Sequence, residues 1–145
     1  MKALLQRVSQ ASVSIDGVEV ASINAGLLVL VGIEPDDNLQ SAEKMLHKLL
    51  NYRVFADEQD RMNKSLTDIK GGLLLVSQFT LAADTRSGLR PGFSTAAAPA
   101  HAEALFEQLV TLAQQRHSSV QTGKFAADMQ VQLINDGPVT FMLEV

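Results

Sequence analysis

The chain has 145 residues, 46% apolar and 19% charged, and its twelve basic against sixteen acidic side chains leave a net charge of −4. A domain of this length buries about 68–70% of its unfolded surface and needs no staple, and the absence of cysteine excludes disulfides, thiolate metal sites and cysteine nucleophiles. The acidic balance argues against broad electrostatic attachment to nucleic acid while leaving room for a local basic patch, and with no signal peptide at the start and no apolar run near the roughly 18 residues of a membrane span, a cytoplasmic protein with no membrane partner is expected.

Residues 2–8 and 11–15 read as strands, and Asp16-Gly17, set between Val13/Ile15 and Val18/Val20, marks a hairpin. Residues 26–33, GLLVLVGI, form a continuous apolar run bounded by glycine and by Glu34-Pro35, which fits a strand buried on both faces. Leu39, Ala42, Leu46 and Leu49 then recur at helical spacing, with Asp36, Asp37 and Asn38 available to cap the helix and complement its dipole. Residues 52–55, YRVF, read as a short strand and residues 56–72 as a long charged loop. Residues 73–81, LLLVSQFTL, form a second strongly apolar strand that turns polar at its C-terminal end. Pro99 suits a first helical turn, and Ala102, Leu105, Phe106, Leu109, Leu112 and Ala113 follow it along one stripe. Met129, Val131 and Leu133, then Val139, Phe141, Leu143 and Val145, alternate with period two, so two strands are expected with the sequence Asn-Asp-Gly-Pro, residues 135–138, as the corner joining them.

No linker, repeat or low-complexity segment interrupts residues 1–145, which read as one domain. The pattern indicates an α/β layered fold around a mixed, largely antiparallel sheet of about seven strands with two helices. The corner is more constrained than a hairpin requires, because proline removes a donor, fixes its own φ and restricts Gly137 before it. Taken alone it is a rigid turn.

Candidate chemistry is sparse. His47, His101 and His117 fall on or beside the helices, no pattern pairs them with Ser77 or Thr80 as a triad base, and all three read as solvated surface histidines. No His/Asp/Glu spacing suggests a metal site and no glycine-rich loop suggests a nucleotide, so neither metal nor cofactor is expected. What remains is SQFTLAAD, residues 77–84, where a buried strand emerges into Ser77, Gln78, Phe79 and Thr80. Polar side chains and backbone N–H groups at a strand terminus are placed to present donors to a ligand.

SQFTLAAD at 77–84 together with NDGPVTF at 135–141, with QRV at 6–8 and TGKFAADMQV at 122–131, closely resembles the D-aminoacyl-tRNA deacylase (D-tyrosyl-tRNA deacylase) family over the whole chain. One position departs: Ala82, followed by Ala83, stands where many relatives carry Tyr. The resemblance implies a deacylase-type fold and a cofactor-free hydrolase that releases tRNA and D-amino acid from D-aminoacyl-tRNA. It implies a homodimer with the active site at the subunit interface and the acceptor end of aminoacyl-tRNA as its partner. The Gly137-Pro138 bond would be cis, its two carbonyls parallel, inserted into the partner subunit's site as a backbone wall that rejects L-residues. Glycine has no side chain to exclude, so glycyl-tRNA, including glycine mischarged on tRNA-Ala, would pass. Ser77, Gln78, Phe79 and Thr80 are the implied catalytic segment, with backbone N–H groups around Phe79 and Thr80 holding the ester carbonyl and the tRNA's terminal 2′-hydroxyl assisting water. Thr80 is also the obvious nucleophile by chemistry, but no adjacent base is in view. Gly137, Pro138, Val139 and Thr140 are the implied substrate-binding corner. Arg7 either approaches the acceptor end or is a solvated residue beside a strand, and Phe125 and Met129 are either pocket wall or core. The alternative from another class is a non-catalytic homodimeric module that binds nucleic acid or protein, with the two motifs serving as a strand end and a turn.

Overall fold

In the computed structural model, which describes residues 1–145, the first two expected strands are one: β1 (Lys2–Ile15) runs fourteen residues without a break. Its buried side chains change face midway. Ala3 and Leu5 enter one apolar cluster, whereas Val8, Ala11 and Val13 enter another. Register irregularities against β8 lie on both sides of Val8, and an irregularity of this kind is what reverses a period-two order. The hairpin to β2 (Val18–Ile23) stands as expected, with Asp16 and Gly17 at φ 51° and 78°, the two positive values that a type I′ turn demands.

β3 (Gly26–Gly32) pairs antiparallel with the first half of β1 and parallel with β6 (Gly72–Ser77), which pairs parallel with β7 (Val120–Thr122). The strand order is β2-β1-β3-β6-β7, with β8 (Gln130–Glu144) on the other edge of β1. Leu27, Val29, Val31, Leu73 and Leu75 meet the helices α1 (Leu39–Asn51) and α3 (Pro99–Arg116) in one cluster. On the opposite face Leu28, Leu74 and Val76 meet Val8, Ala11, Val13, Ala21 and Ile23 from β1 and β2, with Val131 and Leu133 of β8 alongside. The sheet curls over itself toward a barrel, which is why β3 and β6 are apolar on both faces.

Several expectations are corrected. The strand expected at 73–81 ends at Ser77, because β3 offers no pairing partner beyond Val31; the chain then turns through a 3-10 segment, Phe79–Ala82. The strand expected at 52–55 shrinks to β4 (Phe55–Ala56), paired with β5 (Met62–Lys64) in a separate ribbon. The expected loop at 56–72 also holds a one-turn helix α2 (Leu66–Ile69), closed by reciprocal bonds between Ser65 and Asp68. There are therefore eight strands and three helices, not seven and two. Asn38 caps α1 with Ser41 as its reciprocal partner, and Leu39 is exposed. Asp37 instead accepts the Met1 ammonium at 2.7 Å and the Glu34 N–H at 2.7 Å.

The histidines divide. His47 and His101 lie exposed, but His117 is buried at the C-cap of α3, where Nε2 donates to the Gly71 carbonyl at 2.6 Å. That carbonyl precedes β6 and is reachable only through tertiary packing. No helix is long and apolar enough to cross a membrane.

The largest correction concerns the end of the chain. The corner at 135–138 joins no hairpin: both halves of β8 run antiparallel to the same strand, Gln130–Asn135 along Ser14–Val8 and Thr140–Glu144 along Gln6–Lys2. The step from Gln6 to Val8 is faced by the whole stretch from Thr140 back to Asn135, so Asp136–Val139 is extruded from one continuous strand.

Candidate active site

The parallel strands β3, β6 and β7 end on one side of the sheet, where the polar end of the apolar run emerges. Gln78 N–H still donates to the Val31 carbonyl at 2.7 Å, and the chain then tightens, with Leu81 N–H donating to Gln78 O and Ala83 N–H to Thr80 O, each at 3.2 Å. The turn lies flat on Gly32, where a Cβ would come within 2.8 Å of Leu81 Cβ and 3.2 Å of Gln78 O. The first N–H groups of such a turn have no acceptor inside it. Here these are Phe79 and Thr80, both exposed, and no side chain caps them. Two backbone donors are thus presented side by side beyond the half-buried Ser77 and Gln78.

The Thr80 hydroxyl is engaged by an amide, Gln78 Nε2 donating to Thr80 Oγ1 at 2.5 Å. The histidines are bonded elsewhere: His47 to Asn51, His101 to the Asp37 carbonyl and His117 to the Gly71 carbonyl. Asp84, the nearest acid in sequence, has its carboxyl held below the usual carboxylate range by the Arg86 backbone N–H and then by the Arg86 guanidinium, at 3.0 Å each. Thr80 therefore has no base to take its proton. No group of three or more His, Cys, Asp or Glu is placed to hold a metal.

The second motif is a braced projection. Gly137-Pro138 is a cis peptide, Gly137 has φ +132°, and both residues are exposed, while Val139 beside them is buried in the helix-side cluster. Asn135 closes its base by accepting Val139 N–H at 3.0 Å and donating to Thr140 Oγ1 at 2.8 Å. Arg7 supports it from beneath, with Nε donating to the Asp136 carbonyl at 3.0 Å and Nη1 to the Val54 carbonyl at 2.7 Å; its side chain is 15% exposed. Arg7 is therefore not a solvated residue beside a strand, since the guanidinium turns inward to hold the corner. A Cβ on Gly137 would lie 2.8 Å from Val139 Cγ2 and 2.9 Å from Arg7 Nη2, so the position is closed to a side chain as well as set at a glycine φ.

Phe125 and Met129 sit on the segment after β7, where Gly123 N–H donates to the Leu75 carbonyl at 3.0 Å. Phe125 is half-buried against Phe106 of α3 at 6.4 Å, and Met129 covers Gly123 while packing on the cluster that contains Val76. The sequence residues thus form two units: Ser77–Thr80 with Met129 near the end of β6, and Arg7 with Gly137–Thr140. Within one chain no hydrogen bond joins the units; the corner's polar partners are Gln6, Arg7 and Asn135. Two residues escaped sequence reasoning. Asn135 stood in the quoted motif and carried a usable signal, because Asn side chains bond their own backbone a few residues on. Phe93, whose ring meets Phe79 at 5.1 Å, carried none.

The family described as D-Tyr-tRNA(Tyr) deacylase matches residues 4–144. A D-aminoacyl-tRNA deacylase of Pseudomonas paraeruginosa is 67% identical over 144 residues, covering 99% of each chain. One of Azotobacter vinelandii is 65% identical over 144 residues, again covering 99% of each. A solved structure described as c-Myc DNA Unwinding Element Binding Protein superposes with a TM-score of 0.96 at 39% identity, covering 100% of this chain and 99% of that one. Another, described as a probable eukaryotic D-amino acid tRNA deacylase, superposes with a TM-score of 0.86 at 17% identity over 99% and 98%, a likeness of fold.

Proposed function

The chain belongs to the D-aminoacyl-tRNA deacylase family, and from that premise we propose how its residues divide the work. It hydrolyses the ester that joins a D-amino acid to tRNA. The observation that carries the mechanism is the pair of uncapped N–H groups at Phe79 and Thr80 beside a hydroxyl that no base reaches. The ester carbonyl rests on these two donors, which stabilise the oxyanion as water adds to the carbonyl carbon. The 2′-hydroxyl of the terminal adenosine assists the water. The bond from carbon to the 3′-oxygen then breaks, that oxygen takes a proton, and the amino acid leaves as its carboxylate. Ser77 and Gln78 shape the pocket, Gln78 holds Thr80 in place and Met129 contributes its wall, while Phe125 packs on Phe106 of the helix-side core.

The Gly137-Pro138 corner, with Val139 and Thr140 at its base, is the wall that rejects L-residues, and it acts from a second copy of the chain. Two features support this. The corner is exposed and braced by Arg7 and Asn135, yet it bonds to nothing in the Ser77–Thr80 unit of its own chain. The outer edge of β8 is unpaired, with Ile134, Phe141 and Met142 exposed along that strand, a surface that a partner strand would cover. A two-fold axis then makes each insertion reciprocal. Glycyl-tRNA passes the wall, including glycine mischarged on tRNA-Ala, and the single domain 1–145 acts in the cytoplasm, where aminoacyl-tRNA is used.

The composite site is tested by dilution. Sedimentation is expected to show a particle of twice the chain mass, and specific activity is expected to follow the dimer fraction as the protein is diluted through its dissociation range. A fully active monomer would overturn the shared site. A second reading, a nucleic-acid-binding homodimer without catalysis, is favoured by the description of the 39%-identical structure; it requires no turnover of any aminoacyl-tRNA, which separates the two.

A further inference from the structure

The mechanism uses the backbone of Phe79 and leaves its side chain without a task. That ring is 57% exposed and meets Phe93, itself 46% exposed, at 5.1 Å and an interplanar angle of 50°. The chain between them is built as a fixed protrusion. It leaves at Asp84 and returns at Gly92 through two backbone bonds of 2.7 and 2.9 Å, and the Thr95 hydroxyl donates to the Ala82 carbonyl at 2.6 Å, which ties its return to the catalytic turn. Gly88 takes φ +69° at the tip. From residue 85 to residue 95 there are two arginines and no acid, in a chain whose net charge is −4. Arg86 is 84% exposed and spends one nitrogen on Asp84, Arg90 makes no ion pair or side-chain hydrogen bond, and Leu89 is fully exposed between them.

Exposed aromatic faces beside two exposed guanidinium groups, Arg90 unpaired and Arg86 with nitrogens left over from Asp84, fit a single-stranded polynucleotide, in which every unpaired base offers a π face and every linkage an anion. We propose that this protrusion docks the single-stranded 3′ end of tRNA: a base upstream of the terminal adenosine stacks on the Phe79–Phe93 pair, and Arg86 and Arg90 meet the flanking phosphates. The inference rests on the deacylase reading and deepens it, since it explains how an acidic chain holds an RNA near the two donors.

The test compares Arg86→Gln/Arg90→Gln, Phe93→Ala and Phe93→Tyr with the unaltered protein on D-aminoacyl-tRNA and on the D-aminoacyl ester of adenosine alone. Affinity for uncharged tRNA is measured in parallel across salt concentrations. The double arginine variant is expected to raise KM and Kd for tRNA about tenfold and to reduce the salt slope by about 1.4, the loss of two single-strand phosphate contacts. Turnover of the adenosine ester, which does not reach the protrusion, keeps its rate. Phe93→Ala is expected to weaken tRNA binding about 5- to 150-fold, the range for one stacked base, and Phe93→Tyr to restore it. Unchanged tRNA affinity and salt slope in the arginine variant would overturn the proposal, as would an equal loss on the adenosine ester. If the unaltered protein hydrolyses neither ester the deacylase reading fails, while the binding series still decides whether the protrusion holds RNA.

Discussion

A D-aminoacyl-tRNA that ends in 2′-deoxyadenosine, with the amino acid on its 3′-oxygen, is expected to bind like the ribose substrate and to react about 10²–10⁴-fold more slowly, the range for losing a positioned proton-transfer group. The reason lies in what surrounds Thr80. Its hydroxyl accepts from Gln78, the histidines are committed to other partners, and the Asp84 carboxyl is committed to Arg86. With no protein group placed to move the proton, the neighbouring hydroxyl of the RNA is the remaining one. Binding survives because one hydroxyl is a small share of the contact. Under the same single-turnover conditions with saturating protein, Thr80→Ala is expected to retain most of the rate. Equal turnover of deoxy and ribose substrates, with a collapse in Thr80→Ala, would return the nucleophile role to Thr80.

Phe79→Pro is expected to be about 10²–10³-fold slower than Phe79→Ala at saturating substrate, because it deletes one of the two backbone donors that hold the developing oxyanion. Proline fits the backbone here. Phe79 is the first residue of its turn, where proline's missing N–H breaks no internal bond. Gln78 before it, at φ −144° and ψ 83°, lies outside the α region that a following proline disfavours. Both variants lose the phenyl ring and its contact with Phe93, so the difference between them isolates the N–H. Equal rates would remove Phe79 N–H from the site.

The parts legible in the sequence were those whose cause is local. The Asp16-Gly17 hairpin, the doubly buried β3 and the apolar stripe of α3 each follow from a short pattern with one physical reading. The extruded corner was misread because its cause is distant: Asp-Gly-Pro between two alternating segments looks like a turn, and only the pairing of both halves with β1 shows that the chain keeps its direction. Arg7 was ambiguous for the same reason, its partners Asp136 and Val54 being far along the chain. His117 looked like a solvated helix end because the Gly71 carbonyl that buries it lies on another element. Within the segment Ser77–Thr80 the polar exit of the strand was legible. The tight turn that frees the Phe79 and Thr80 N–H groups was not, since it depends on where β3 stops.

The discrimination between mirror-image substrates is measured most directly by charging one tRNA with D-tyrosine and with L-tyrosine and following ester hydrolysis by the purified chain at equal concentrations. The D-ester is expected to be cleaved far above its spontaneous rate and the L-ester to decay at its spontaneous rate in the same buffer. Comparable hydrolysis of both esters would contradict the backbone wall at Gly137-Pro138, and hydrolysis of neither would contradict the assignment of Ser77–Thr80 as a deacylase site.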